Sequence, residues 1–242
     1  MVNLVSNELF KIYHKNSVYV LGIVLLLFVI LNTYICKISG ITNSKDVLIS
    51  EFSFINLFIV ISIVMISSGI VSEEYSSGSI KTLLIKPYKR YQILLSKLIS
   101  VIISFVVFVI IYFVMCFICY GLLDRFSSYD INMFKEIGKY ILFLLPEYMI
   151  ILLFSFFVSC LVNNPSSCNI LGIGLFIGSS IINDIVISNN LKYLRWIPTM
   201  CWDLSNRGDN NMVFCIVVCI VTILVLICGS FIIFNNKEIK NR

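Results

Sequence analysis

Apolar runs of about 20 residues recur along the whole chain, and about 20 residues of helix span the ~30 Å hydrocarbon core of a bilayer. Six candidate spans can be read: Val18–Cys36, Phe54–Ser72, Lys97–Tyr120, Tyr140–Val162, Ile170–Ser188 and Met212–Phe234. Each is expected to be helical, because a helix satisfies its own backbone hydrogen bonds where no water can do so. The expected fold class is therefore all-α, a polytopic membrane protein with six transmembrane helices forming one domain over residues 1–242. Composition agrees: 59% of residues are hydrophobic and 13% charged, against ~25% charged in a soluble domain. No polar interval approaches the ~50 residues of a separate domain, which excludes a soluble catalytic unit.

The chain contains no alanine, so small-residue duties fall to Gly, Ser and Cys. Small residues spaced by four occur at Ser96, Ser100 and Ser104, at Ser155 and Ser159, at Gly174 and Gly178, and at Cys215 and Cys219. Such stripes let helix backbones approach closely, either within one bundle or across a dimer seam. The nine cysteines lie mostly in apolar runs, where a thiol behaves as a small hydrophobe. A net charge of +5 without a run of five or more like charges gives no sign of a nucleic-acid partner. The first apolar run has no small-x-small cleavage site after it and is expected to stay as a span rather than leave as a signal peptide.

With both termini cytoplasmic, ten Lys and Arg fall on inner segments and eight on outer ones. Five of the ten crowd between the second and third spans, at Lys81, Lys86, Lys89, Arg90 and Lys97. Positive charge close to span ends favours the cytoplasmic side, so both termini are expected inside a cell membrane crossed several times.

That segment, EEYSSGSIKTLLIKPYKRYQILLSK from Glu73 to Lys97, departs from its surroundings. Ser76, Ser77 and Gly78 break the helix, Ser79 is a candidate N-cap, and Ile80, Leu83 and Leu84 follow at helical spacing. Pro87 is expected to end this short amphipathic helix near Lys86. Tyr91, Leu94, Leu95 and Leu98 then share one face of a second helical start. The picture is an elbow along the inner membrane surface. It either transmits a push to the spans or only anchors topology through its charge.

The order Glu74, Gly78, Ser79, Leu83, Leu84, Pro87, Arg90 and Lys97 resembles the motif of ABC-2 type permeases, E-x3-G-[ST]-x3-LL-x2-P-x2-R-x6-K. These are the membrane subunits of ATP-binding-cassette exporters, and the motif sits where that family places it, between the second and third of six spans. In length and span count the whole chain is similar to the short bacterial permeases of bacitracin and lantibiotic resistance, as is Lys192–Leu204 before the last span. The resemblance implies a type V exporter-like bundle that works as a dimer, with a second copy or a homologous permease, and binds a separate ATPase subunit through the elbow. The implied coupling residues are Glu74, Gly78, Leu83, Leu84, Pro87 and Arg90. Gly78 would make the turn, the leucines would dock, Pro87 would form the corner, and Arg90 or Glu74 would clamp by hydrogen bonds. ATP and Mg would sit on the partner, with no cofactor on this chain. The implied cargo is an amphiphilic peptide, antibiotic or lipid-like compound.

The chain has no G-x4-G-K-[ST] phosphate loop, so ATP hydrolysis is not expected of it, nor is any other enzymatic activity. Its one histidine, His14, precedes the first span, and Cys116 and Cys119 lack a second pair at metal-site spacing; no metal is expected. Glu147 and Asp184 are acids near or within spans and are candidates for the translocation path. Glu147 also reads as the first turn of a helix starting at the outer interface with Pro146 at N1, which is the favoured reading. Asp184 and Asn32 approach outer span ends, where water is within reach. Cys36 and Cys201 both fall on the expected outer side without any statement of distance. Asn189–Asn211 carries Trp196, Pro198 and Trp202, and suits an interfacial aromatic belt or a lid over a departing substrate. Two other functions fit the same residues: an ion-gradient-driven transporter using Glu147 and Asp184, or a scaffold or sensor that signals through the elbow without transport.

Overall fold

The computed structural model describes residues 2–38, 44–80, 88–120, 131–188, 197–199, 201 and 212–237. Within these, the side chains at 33, 36–37, 44–56, 115–120, 131–143, 183–184 and 186–188 are outside the description. Seven helices are described: α1 Val2–Tyr13, α2 Asn16–Ile38, α3 Ser44–Ser76, α4 Arg90–Tyr120, α5 Ile131–Leu161, α6 Pro165–Ser188 and α7 Met212–Asn236. No strand occurs among the described residues. Five stretches are each long and apolar enough to cross a bilayer: Leu57–Ser76, Arg90–Val114, Leu144–Leu161, Pro165–Ile182 and Met212–Asn236. A sixth is reached when α1 and α2 count together, although they bend by 58° at their break. The protein is thus a multi-pass helical membrane protein, with five or six candidate spans among the described residues.

α3 is the central helix and packs against α2, α4, α5 and α6, while α5 also packs on α6 and α7. Val60, Val64 and Val71 of α3 meet Leu94, Val101 and Phe105 of α4 and Ile151, Leu152 and Phe156 of α5, all essentially closed to solvent. Because lipid tails are as apolar as these side chains, close packing and satisfied polar groups hold such a bundle together. The small-residue stripes show where. Ser96, Ser100 and Ser104 are buried, as are Ser155 and Ser159, and most of these hydroxyls donate to a carbonyl three or four residues back. Ser62 and Tyr112 bond across α3 and α4 at 3.0 Å, and the Ser68 hydroxyl donates to Asn169 across α3 and α6. At Gly172 an added Cβ would lie 2.6 Å from Val64 Cγ1 and 2.7 Å from Ser155 Oγ, so α3, α5 and α6 approach closely at this glycine.

Several expectations change. The second and third apolar helices extend well beyond the apolar stretches, with α4 continuous from Arg90 rather than from Lys97. α1 was not expected as a helix at all, and it carries the N-terminal residues back along the bundle, packed on α4. Pro146 lies inside α5, so Glu147 does not begin a helix. A proline inside a spanning helix is tolerated where neighbouring elements can re-satisfy the backbone group it frees. Asn32 is buried rather than hydrated, with Nδ2 lacking a hydrogen-bond partner. Gly174 and Gly178 have no described atom within 4 Å of an added Cβ, so that stripe makes no close packing with the described residues.

Candidate functional site

The site lies where α1, the end of α3 and the start of α4 converge. α1 forms because Leu4, Glu8 and Ile12 repeat at i, i+4 and i+8 and face inward, with Val2 and Phe10 outward. An acid on the apolar stripe hides this helix in the sequence, and its position is explained by what it meets. Lys97 is completely buried, and its ammonium lies 2.9 Å from Glu8 Oε2, 2.7 Å from Glu74 Oε1 and 3.2 Å from the Ile70 carbonyl. An ammonium has three protons to donate, and here it faces three oxygens. Lys11 closes the ring, 2.9 Å from Glu8 Oε1 and 3.0 Å from Glu74 Oε1, and Lys15 pairs with Glu73.

Charge balances in this cluster: Glu8, Glu73 and Glu74 face Lys11, Lys15 and Lys97. Burial alone would raise the Glu8 carboxyl, but Lys97 and Lys11 outweigh it and hold Glu8 below the ordinary carboxylate value. Burial likewise pulls Lys11 down, and Glu8 and Glu74 reverse that to hold it above the ordinary ammonium value. Beside the cluster, a cavity of about 100 Å³ opens between α1, α2 and α3, lined by Lys11, Lys15, Glu73 and Glu74. Gly69 makes room for the outer pair, since a Cβ there would stand 2.8 Å from Glu73 Oε1 and 3.1 Å from Lys15 Nζ.

Glu74 and Lys97 are therefore the two stems of the elbow, joined by an ion pair across its base. At the mouth of the elbow Gly78 has φ +74°, the left-handed backbone that only glycine adopts without cost. Its expected role as the turn residue corresponds to this conformation. Ser77 caps the turn by accepting from the Ser79 amide at 3.5 Å, with the two hydroxyls 2.9 Å apart. Leu83, Leu84 and Pro87 lie outside the described residues. Of the second helical start, Leu94 and Leu98 are buried, whereas Tyr91 is 45% exposed and faces away from the core.

Arg90 donates from Nη1 to the Asn235 carbonyl at 3.0 Å, which ties the start of α4 to the end of α7. Lys237 follows on from there, donating to the Cys160 and Leu161 carbonyls at 2.6 and 3.1 Å and lying 4.1 Å over the Tyr75 ring. A cation at the last carbonyls of α5 complements that helix end, and burial lowers the Lys237 ammonium from its ordinary value. The N-terminal helix, the elbow stems and the C-terminal end of α7 thus share one end of the bundle.

The other acidic candidates are not part of this site. Glu147 is half-buried on α5, and Asp184 lies near the end of α6 with its side chain outside the described residues. At the far end of the bundle, Thr199 and Cys201 are buried against α5 and α7, although their segment was expected at the interface; Trp196 and Trp202 lie outside the described residues. A mainly apolar cavity of about 480 Å³ lies beneath this strap, between Phe154, Gly178, Ile182, Pro198 and Val225. Cys36 falls outside the described side chains, while Cys201 sits beside Cys215. The sequence-based site omitted Glu8, Lys11, Lys15 and Glu73, and gave Lys97 only as a motif position. The available signal was the acid on the apolar stripe of residues 2–13.

A stretch of 38 residues is 50% identical to the Bacillus subtilis (strain 168) protein named "Uncharacterized protein YhcI". It covers 16% of this chain and 12% of that relative, so the similarity reports a shared segment rather than a shared whole. A family profile with the description "Protein of unknown function (DUF2705)" matches residues 19–240, nearly the entire chain. The chain belongs to the DUF2705 family.

Proposed function

We propose that this protein is the permease subunit of an ATP-binding-cassette exporter of the ABC-2 type. In this reading two permease chains bind ATPase subunits of a separate protein at the 73–97 elbow, with both termini on the cytoplasmic side of a cell membrane. ATP and Mg belong to the partner, and this chain catalyses no covalent chemistry. The cargo class that suits an apolar wall and lateral release is an amphiphilic peptide, antibiotic or lipid-like compound, whose removal would confer resistance.

One observation carries the reading: the Glu74–Lys97 pair across the base of the elbow, bridged to α1 through Glu8. A loop that only marks topology needs exposed positive charge. It does not need two buried carboxylates around a fully buried lysine, an arrangement that is expensive in a membrane protein and by default functional. A loop that passes force to helices does need a stiff base. The clamp supplies one by fixing the ends of α3 and α4 to each other and to the N-terminal helix.

Co-purification in mild detergent from the native host tests this, comparing wild type with the Leu83→Asp, Leu84→Asp double variant. The expected result is a soluble ATPase held by the wild type and lost from an equally expressed variant. An ion-gradient transporter would hold no ATPase and would be blocked by Glu147→Gln. A scaffold would hold a partner without ATP-dependent movement of any substrate.

A further inference from the structure

At the end of the bundle opposite the charged cluster, a buried strap meets the first turns of α7. Cys201 of the strap and Cys215 of α7 are both fully closed to solvent, and their sulfurs are 2.6 Å apart. Cys215 Sγ also lies 2.8 Å from the Cys201 carbonyl. Ile150, Phe214 and Cys219 surround the pair. Both are free thiols in the structure, and two cysteines fourteen residues apart have been brought close enough for a small adjustment to give the ~2.05 Å bond of a disulfide. The described neighbours of the pair are apolar side chains and a third cysteine.

We propose that Cys201 and Cys215 form a structural disulfide that staples the 197–201 strap to α7. The staple holds Pro198 and Thr199 as a wall of the 480 Å³ apolar cavity. In its formation two S–H bonds break and one S–S bond forms. The two electrons and two protons pass to an extracytoplasmic thiol oxidant of the disulfide-exchange class, which leaves as a dithiol. Exchange precedes final packing, because neither sulfur is reachable once the strap is seated. The oxidising compartment follows from the orientation proposed above, in which the start of α7 faces outward; the pairing itself follows from the geometry alone.

The sequence supplies a direct test. Cyanogen bromide cuts after Met200 and Met212, which places Cys201 in peptide 201–212 and Cys215, Cys219 and Cys228 in fragment 213–242. Full-length protein is denatured in detergent with N-ethylmaleimide to block thiols, cleaved without reductant, and weighed by mass spectrometry. The staple predicts that most of peptide 201–212 stays joined to 213–242, two hydrogen masses below the sum of the parts, and separates on reduction. Cys215→Ser is expected to release the peptide unreduced, and Cys219→Ser to leave it joined. Release of maleimide-labelled 201–212 from unreduced wild type would overturn the proposal, as would persistent joining in Cys215→Ser. ATPase co-purification read on the same preparation separates the two claims. A joined peptide without an ATPase supports the staple and removes the permease reading, and a released peptide with an ATPase does the reverse.

Discussion

Lys97 is the residue on which the charged end of the molecule turns. Removing one partner of a buried ion pair typically costs about 3–5 kcal/mol, because the remaining charge is stranded. Lys97→Met is therefore expected to lower stability by that order, read as thermal unfolding in detergent, with α1 released first. Glu8→Gln added to Lys97→Met should recover much of the loss, since Lys11 still neutralises Glu74. The same residues set a pH window. Glu8 is held below its ordinary value in the folded state, so its contribution is full above that value and is lost as pH falls through the carboxylate range. Lys11 is held above its ordinary value, so its contribution is full at neutral pH and is lost only as pH rises through the ammonium range. A fluorine-bearing phenylalanine in place of the exposed Val2 should report an unchanged α1 between these limits and a detached one once pH has fallen through the carboxylate range. A transition centred between pH 6 and 8 would contradict the assignment of these groups.

At the scale of elements, the apolar helices were legible because a 20-residue apolar run in water has nowhere else to go. Their ends were not. α3 and α4 continue past the apolar stretch because the polar residues there, Glu73, Glu74 and Lys97, find partners inside the protein instead of water. α1 escaped detection for the same reason: Glu8 reads as an error in an amphipathic stripe until Lys97 is placed opposite it. Pro146 misled in the other direction, since a local breaker signal was overridden by packing along α5. The stripes of small residues were legible as a class but not individually. Ser100 and Ser155 turned inward, while Gly174 and Gly178 turned to open space, and nothing in the spacing distinguishes the two cases. Gly172, where helices do approach closely, stands outside the i+4 stripes. Gly172→Ala places a methyl against the stiff Val64 side chain and should destabilise by about 1–3 kcal/mol, partly relieved by adding Val64→Ala. Gly178→Ala, with no described neighbour to meet, serves as the control in the same unfolding measurement and should be neutral or stabilising by up to about 1 kcal/mol.

For the molecule as a whole, the two ends of the bundle differ in kind. One is held by ion pairs and by Arg90 and Lys237 reaching across to α7 and α5; the other is held by a buried strap above an apolar cavity. In the proposed permease, closure of a cytoplasmic ATPase would act on the ion-paired end, and the apolar cavity would lie at the far one. The elbow between the stems is the point of contact on which the account rests. Tyr88 stands at its exit, 40% exposed, and can be replaced by a photoreactive benzoylphenylalanine in the native host, with the exposed Tyr19 on α2 as the control position. Illumination is expected to join position 88, and not position 19, to a soluble protein that carries a phosphate loop. Cross-links to lipid alone at position 88, or the same protein captured equally at both positions, would contradict the coupling role of the elbow.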